Sequence, residues 1–341
     1  MKKILIILGS LVLVVAILFA GFVVYVAADQ IIPDSLNYVV NPDGETCTVT
    51  GLKENVFDAG YRLVIPKKIM GYTVTKIGVK AFEGNNFEEV EFPDTIVSIG
   101  AYAFRNCENL RNVIGLENCT ELTEIKEETF RGCKELELII LPEGLKTIGP
   151  LAFGNCYAAL ETVNIPSTVT SIKLGAFWNC MSIKEMNIPK STQYIGDAAF
   201  DFCMDLEGIS VDPENPYWCS VDGVLYSKDM KTLHTYVSGK RDAEFTIPDG
   251  VTTISYRAFS LPMHLKTLVI PSSVTEIGIE AFYDNLIEGQ SISTLKSIKY
   301  NGTVEMWDKI VKLMNWRSET LDCIIYCTDG QISKDGTVTY N

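Results

Sequence analysis

Phenylalanine recurs along this chain at a near-constant interval, and that interval limits the possible folds more than any other feature. Phe82, Phe104, Phe130, Phe153, Phe177, Phe200, Phe259 and Phe282 lie 22, 26, 23, 24, 23, 59 and 23 residues apart, and Ala precedes most of them. The phrase is clearest from Leu160 to Cys180: Leu160-x-x-Val163-x-Ile165-Pro166, then Val169-x-x-Ile172, then Ala176-Phe177-x-x-Cys180. A repeat of this length is one supersecondary unit that cannot bury its apolar face alone, so successive units must stack.

The spacing within a unit assigns the parts. Val163 and Ile165 share one face of a strand, and the preceding leucine enters the same core from a turn. Proline ends the strand because it has no N–H for the ladder. Val169 and Ile172 carry the chain round a turn, and Phe177 fills the far side of the coil. Stacked coils then form a parallel sheet with a step of roughly 4.8 Å. The expectation is a β-rich solenoid of coils about 23 residues long, closed by a mixed C-terminal cap.

Read in order, residues 1–28 form an apolar leader, 29–76 an N-terminal cap, 77–290 the solenoid and 291–341 the C-terminal cap. Ile4 to Val26 holds 23 residues without a charge behind Lys2 and Lys3, long enough to span a bilayer. The lysines favour a cytoplasmic N-terminus, which places the repeats outside the cell. The leader is either a membrane-spanning signal anchor or a signal peptide cleaved after the small residues Ala27 and Ala28. The protein is accordingly membrane-anchored through Ile4–Val26, or secreted.

Residues 211–245 interrupt the period. Asp222-Gly223 and Lys228 to Lys231 are turn signals flanking Val224-Leu225-Tyr226 and Leu233 to Tyr236, which predicts a β-hairpin leaving the solenoid and returning at Phe245. Near the end, Val304, Trp307, Ile310, Val311 and Met314 follow helical spacing over Val304 to Trp316, with Thr303 as N-cap. Cys323 to Cys327 and Thr337 to Tyr340 read as final strands.

These phrases resemble the BspA-type leucine-rich repeat family of bacterial surface and secreted proteins, across roughly residues 37–341. Asp222-Gly223-Val224-Leu225-Tyr226, Tyr300-Asn301-Gly302-Thr303 with Trp307, and Cys327-Thr328-Asp329-Gly330 are similar to recurring family segments. The resemblance implies a right-handed solenoid and, for some members, adhesion to host proteins or other cells. It carries no catalytic position onto this chain.

The formal charge of −14 disfavours nucleic acid and anionic lipid headgroups as partners and suits basic proteins, neutral glycans or divalent cations. The outward positions of the sheet are the first binding candidates: Glu88, Glu89, Glu91, Glu137, Ile140, Glu161, Asn164, Lys184, Glu185, Asn187 and Glu207. The bland reading is that such positions keep the rod soluble. A second candidate is the aromatic group Tyr217, Trp218, Tyr226 and Tyr236, set against plain packing on the solenoid edge.

Cys107, Cys133, Cys156, Cys180 and Cys203 each follow a motif phenylalanine by three residues, once per coil like any core position, so they read as buried free thiols and not as metal ligands. Bridging between neighbouring coils stays open; Cys323 and Cys327, in one strand, cannot bridge each other. No cofactor is expected. His234 and His264 sit in no nucleophile or metal motif, and no phosphate loop or G-x-S-x-G occurs. The function expected is protein or glycan binding at the cell surface. A spacer rod without a ligand is the alternative, and a cryptic hydrolase using His234 is the remote one.

Overall fold

The computed structural model describes residues 35–53, 62–157, 160–284, 294–317 and 321–341 in full, and the backbone alone of 4–9, 12–19, 22–24, 30–31, 286–287 and 290–291. Most coils contribute one short strand to each of two parallel ladders. In the first, Arg62–Val64, Glu89–Glu91, Asn112–Ile114 and Leu138–Ile139 pair in register. In the second, Glu124–Ile125, Thr147–Ile148, Ser171–Ile172 and Tyr194–Ile195 do the same. Alternation explains which residues point inward: Val90, Val113 and Ile139 are buried while their strand neighbours face solvent.

The third side of each coil is the Ala-Phe turn. Phe104, Phe130, Phe153 and Phe177 stack with ring centroids 5.4, 5.7 and 5.4 Å apart and planes within 11° of parallel. The backbone there alternates in hand. The residue two before each phenylalanine has positive φ, and it is usually not glycine: Lys80, Tyr102, Glu128, Leu151, Ala198, Arg257 and Glu280. This geometry turns every second N–H toward the next coil, so Lys80, Phe82 and Gly84 donate to the carbonyls of Ala101, Ala103 and Arg105. The turns therefore form a hydrogen-bonded ladder of their own, which offsets the left-handed strain of roughly 1–2 kcal/mol per residue.

The cysteine column completes this wall. Cys107, Cys133, Cys156, Cys180 and Cys203 are fully buried and free, and each Sγ–H donates to the carbonyl of the motif phenylalanine one coil earlier, at 3.0–3.3 Å. Burial pushes the Cys156 and Cys203 thiols up to about 12.

Four expectations need correction. First, no strand forms over 160–165, although Val163 and Ile165 are buried. The step from Cys156 to Leu160 is one residue longer than Cys133 to Leu136 or Cys180 to Ile183, yet the rung keeps its alignment with the next coil, the Lys184 N–H donating to the Glu161 carbonyl at 3.2 Å as the Glu207 N–H does to the Lys184 carbonyl. Second, the helix at the C-terminal end covers only Val304–Lys309. Thr303 caps it by accepting from the Met306 N–H at 3.2 Å, but Val311–Lys312 then joins the second ladder beside Glu276–Ile277. The β-branched Ile310-Val311 pair favours that extended form.

Third, residues 211–245 form the expected antiparallel pairing, Val224–Ser227 against Thr232–Thr235, but do not leave the solenoid. Trp218–Val221 and Val224–Ser227 form an antiparallel hairpin, and the next strand, Thr232–Thr235, pairs in parallel with Thr253–Ile254 of the second ladder. Tyr236 then takes the phenylalanine position, stacking on Phe259 at 5.1 Å and donating its N–H to the Ala258 carbonyl at 2.8 Å. The strand Val224–Ser227 is a partition between two cores: Leu225 packs into the one reaching back to Leu36, and Val224 and Tyr226 into the one reaching on to Ile332.

Fourth, the leader Ile4–Val26 shows no helix among its described residues. Its side chains lie outside the described residues, and the backbone that is described is extended, Ile4–Gly9 pairing with Val12–Phe19 and that strand with Phe22–Val24. Among the described residues no helix is long and apolar enough to cross a membrane. A uniform Ile/Val/Leu run has no period that distinguishes helix from strand, and it is surrounding hydrocarbon that enforces the helix.

Candidate functional site

The first ladder is interrupted where the hairpin meets it, and the interruption creates a concavity. Glu185–Ile188 and Gly208–Val211 pair in parallel, but the neighbour beyond Gly208–Val211 is the hairpin and not another rung. The Ile209 N–H donates to the Gly223 carbonyl at 2.9 Å, and the Val211 N–H donates to Ser220 Oγ at 3.2 Å. Two glycines permit this approach. A Cβ on Gly223 would lie 2.9 Å from the Gly208 Cα, and Gly223 also has φ +77°. The groove so formed has a volume of about 400 Å³ and is lined by Glu185, Asn187, Glu207, Ser210, Ser220 and the two glycines.

Three of the sheet-face residues singled out from sequence, Glu185, Asn187 and Glu207, therefore meet in one groove. Asn187 Oδ1 accepts from the Ser210 hydroxyl. Glu207 pairs with Arg241 at 2.9 Å, both well exposed. Among the described residues no ion pair involves Glu185. The Ser210 and Ser220 hydroxyls and the backbone faces of the glycines add donors and acceptors. The arrangement suits a cationic side chain or a hydroxyl-rich surface, and it contains no nucleophile–base pair.

The remaining sheet-face positions are also on the surface, but cations of the same face occupy many of them. Arg62 lies 2.8 Å from Glu89 and also pairs with Glu91. Arg111 bridges Glu135 and Glu137 at 3.2 and 2.7 Å, and Lys184 holds Glu161 at 2.8 Å. Glu88 is half-exposed, and Ile140 and Asn164 are exposed. The sequence suggested an open acidic column; the structure turns most of it into coil-to-coil ion pairs, each worth little at such exposure.

The aromatic group does not assemble as a binding patch. Tyr226 and Tyr236 are core residues. Trp218 is half-buried, with its ring edge-on to His234 at 5.0 Å and its indole N–H donating to the Gln193 carbonyl at 3.2 Å. Tyr217 alone of the four is exposed. His234 is itself buried, its Nδ1 lies 2.8 Å from the Thr235 hydroxyl, and burial pushes its imidazole below the ordinary range. It does not line the groove. Among the described residues no group of three or more His, Cys, Asp or Glu side chains could hold a metal.

Sequence reasoning missed the hairpin's part in the groove. The signal was Gly208 and Gly223, two glycines whose close approach spans fifteen residues and shows no local pattern.

The model of the BspA type leucine rich repeat region matches in six copies over residues 117–217 and 235–304, half of the chain. The chain belongs to the BspA-type leucine-rich repeat family. Within that family fold it is similar to a leucine rich cell surface protein from Faecalibacterium prausnitzii A2-165, at 25% identity and TM-score 0.58, covering 81% of this chain and 96% of that one. It also shares its fold with the pneumococcal vaccine antigen PcpA, at 23% identity and TM-score 0.66, covering 80% of this chain and 81% of that one. A search of curated proteins finds no match. The matched stretches contain the motif phenylalanines from Phe130 to Phe282 and the column cysteines from Cys133 to Cys203; the ladder side of the groove, Glu185 to Ser210, lies within the first stretch, and its hairpin side, Ser220 and Gly223, falls in the gap between the two.

Proposed function

We propose that this BspA-type protein works outside the cell as a binding protein, gripping a protein or glycan ligand in the groove between the first ladder and the hairpin. The observation that carries this reading is the meeting of Glu185, Asn187 and Glu207 with Ser210 and Ser220 where the ladder is interrupted. Elsewhere on the same face the carboxylates of Glu89, Glu91, Glu137 and Glu161 are met by arginine or lysine. The exposed Glu185 carboxylate, in no ion pair among the described residues, favours a ligand that brings lysine or arginine, which at Glu207 would compete with Arg241. Cells displaying the full chain, probed with panels of matrix proteins and glycans, test the reading: Glu185→Lys should abolish capture and Glu161→Ala should spare it.

Location outside the cell is supported by the uncharged run from Ile4 to Val26 behind Lys2 and Lys3 and by the cell-surface description of the Faecalibacterium relative. Anchoring and secretion differ in one measurement, N-terminal mass analysis of the protein from membrane and medium fractions. An intact leader in the membrane fraction supports the anchor, and a chain starting near Asp29 in the medium supports release.

A second reading, a spacer rod, is favoured by the ion pairs that neutralise much of the sheet face. It predicts that Glu185→Lys leaves cell attachment unchanged while deletion of whole coils abolishes it.

A further inference from the structure

The ladder face that leads into the groove changes chemistry coil by coil. Leu138 and Ile140, at alternate outward positions of one rung, are 49% and 48% exposed. Half-buried Ile114 stands beside Ile140 on the preceding rung, where Val113 pairs with Ile139. In the next coil the matching outward positions are Thr162 and Asn164, and in the one after that Glu185 and Asn187, all four exposed. The strip then ends against the hairpin at Ser220. It runs from apolar, through hydroxyl and amide, to carboxylate, and holds no lysine or arginine. The nearest cations stand along its side and are engaged: Arg111 with Glu135 and Glu137, Lys184 with Glu161.

Folding does not explain Leu138 and Ile140. Single exposed apolar residues are ordinary, but here two share one rung of a face whose matching positions elsewhere are polar: Glu89 and Glu91 before them, Thr162 and Asn164 after. Contiguous exposed apolar surface rimmed by polar groups marks an interaction site.

We propose that the strip binds an extended peptide segment of a protein ligand, seating an apolar side chain on Leu138 and Ile140 and a lysine or arginine at Glu185. This assignment rests on the groove as the binding site and narrows the ligand from protein or glycan to polypeptide. Charge complementarity selects the basic residue, since the Glu185 carboxylate is in no ion pair among the described residues and the whole chain carries −14. A glycan would be gripped by aromatic rings, and the strip has none.

The coil spacing sets the ligand's spacing. These three coils stack their phenylalanines 5.4 and 6.0 Å apart, and on the sheet side two ladder steps carry Glu185 roughly 10 Å from Leu138. In a polyproline II segment side chains share a face every third residue, about 9 Å apart. The apolar and basic residues of the ligand therefore stand three positions apart.

A random-peptide phage library panned on cells displaying the full chain tests this. Enriched peptides are expected to carry leucine, isoleucine, valine, phenylalanine or methionine three positions from lysine or arginine. A synthetic peptide of enriched sequence should lose at least about tenfold in affinity when the two residues are moved next to each other, a change that leaves the protein untouched. The double variant Leu138→Ser with Ile140→Ser should lose as much, at an unchanged melting temperature because both positions are on the surface. Enriched peptides without the pair, no enriched peptide at all, or affinity indifferent to the rearranged peptide would overturn the proposal. Matrix-protein or glycan capture that Glu185→Lys abolishes, with no such peptide enriched, would keep the groove as the binding site and remove the peptide.

Discussion

Arg257 Nη1 lies 3.1 Å from Asp201 Oδ2, an ion pair between residues 56 apart, with both side chains largely withdrawn from water. The pair crosses the partition between the cores. Burial pushes the Asp201 carboxyl above its usual range, and contacts from Ser260 and Arg257 oppose that. Arg257 is further held by Glu280 at 2.6 Å and by the Tyr283 ring at 4.1 Å. Replacing Asp201 by Asn should cost about 1.5–3 kcal/mol, since Arg257 keeps its other partners. In a denaturant titration the single transition should separate into two, as the halves lose their tie; a single transition at the original midpoint would contradict this role.

The cysteines should divide into two reactivity classes. The five column thiols are fully buried, with Cys156 and Cys203 pushed up to about 12, so almost no thiolate forms at neutral pH. Cys219 and Cys327 are half-exposed. Burial raises these two thiols as well, Cys327 to about 11, so access and not thiolate content separates the classes: prolonged alkylation of the native chain at alkaline pH, followed by peptide mass mapping, should mark Cys219 and Cys327, and the column cysteines only in denaturant.

His234 should make stability fall on mild acidification. Burial lowers its folded-state pKa beneath the ordinary value near 6.5, with Asp197 opposing. Below that ordinary value the unfolded chain takes up a proton that the folded chain refuses, so the contribution present above pH 6.5 is lost as pH falls toward the folded pKa. Melting curves from pH 7.5 to 5 should therefore slope downward for the native sequence and run flatter for His234→Phe.

The left-handed turn position gives a prediction against the usual glycine penalty. Lys80 has φ +58° and an exposed side chain, and Gly175 already fills the same place in a later coil with the same φ. Lys80→Gly should be stabilising by about 0.5–1 kcal/mol, the relieved strain exceeding the added chain entropy. Chemical denaturation measures it directly.

What could be read from the sequence follows from which positions repeat as residue types. The inward Val, Ile and Leu positions, the phenylalanines and the cysteines are chosen by volume and apolarity, so they recur as letters. The left-handed position does not, because Lys80, Tyr102, Glu128, Leu151 and Arg257 share a backbone angle and no side-chain chemistry. Tyr236 was hidden for another reason: His234-Thr235-Tyr236 lacks the Ala-Phe phrase, and only its stacking on Phe259 shows that it continues the column. The groove was half legible. Glu185, Asn187 and Glu207 follow from strand alternation, whereas Ser220 and Gly223 arrive through a tertiary contact.

The groove's claim to be the binding site is tested most directly by the double variant Glu185→Lys with Glu207→Lys, on cells displaying the full chain, against a ligand captured by the unaltered protein. The account predicts at least about a tenfold loss of affinity, with the melting temperature essentially unchanged because both side chains are exposed. Undiminished capture by the double variant would contradict it.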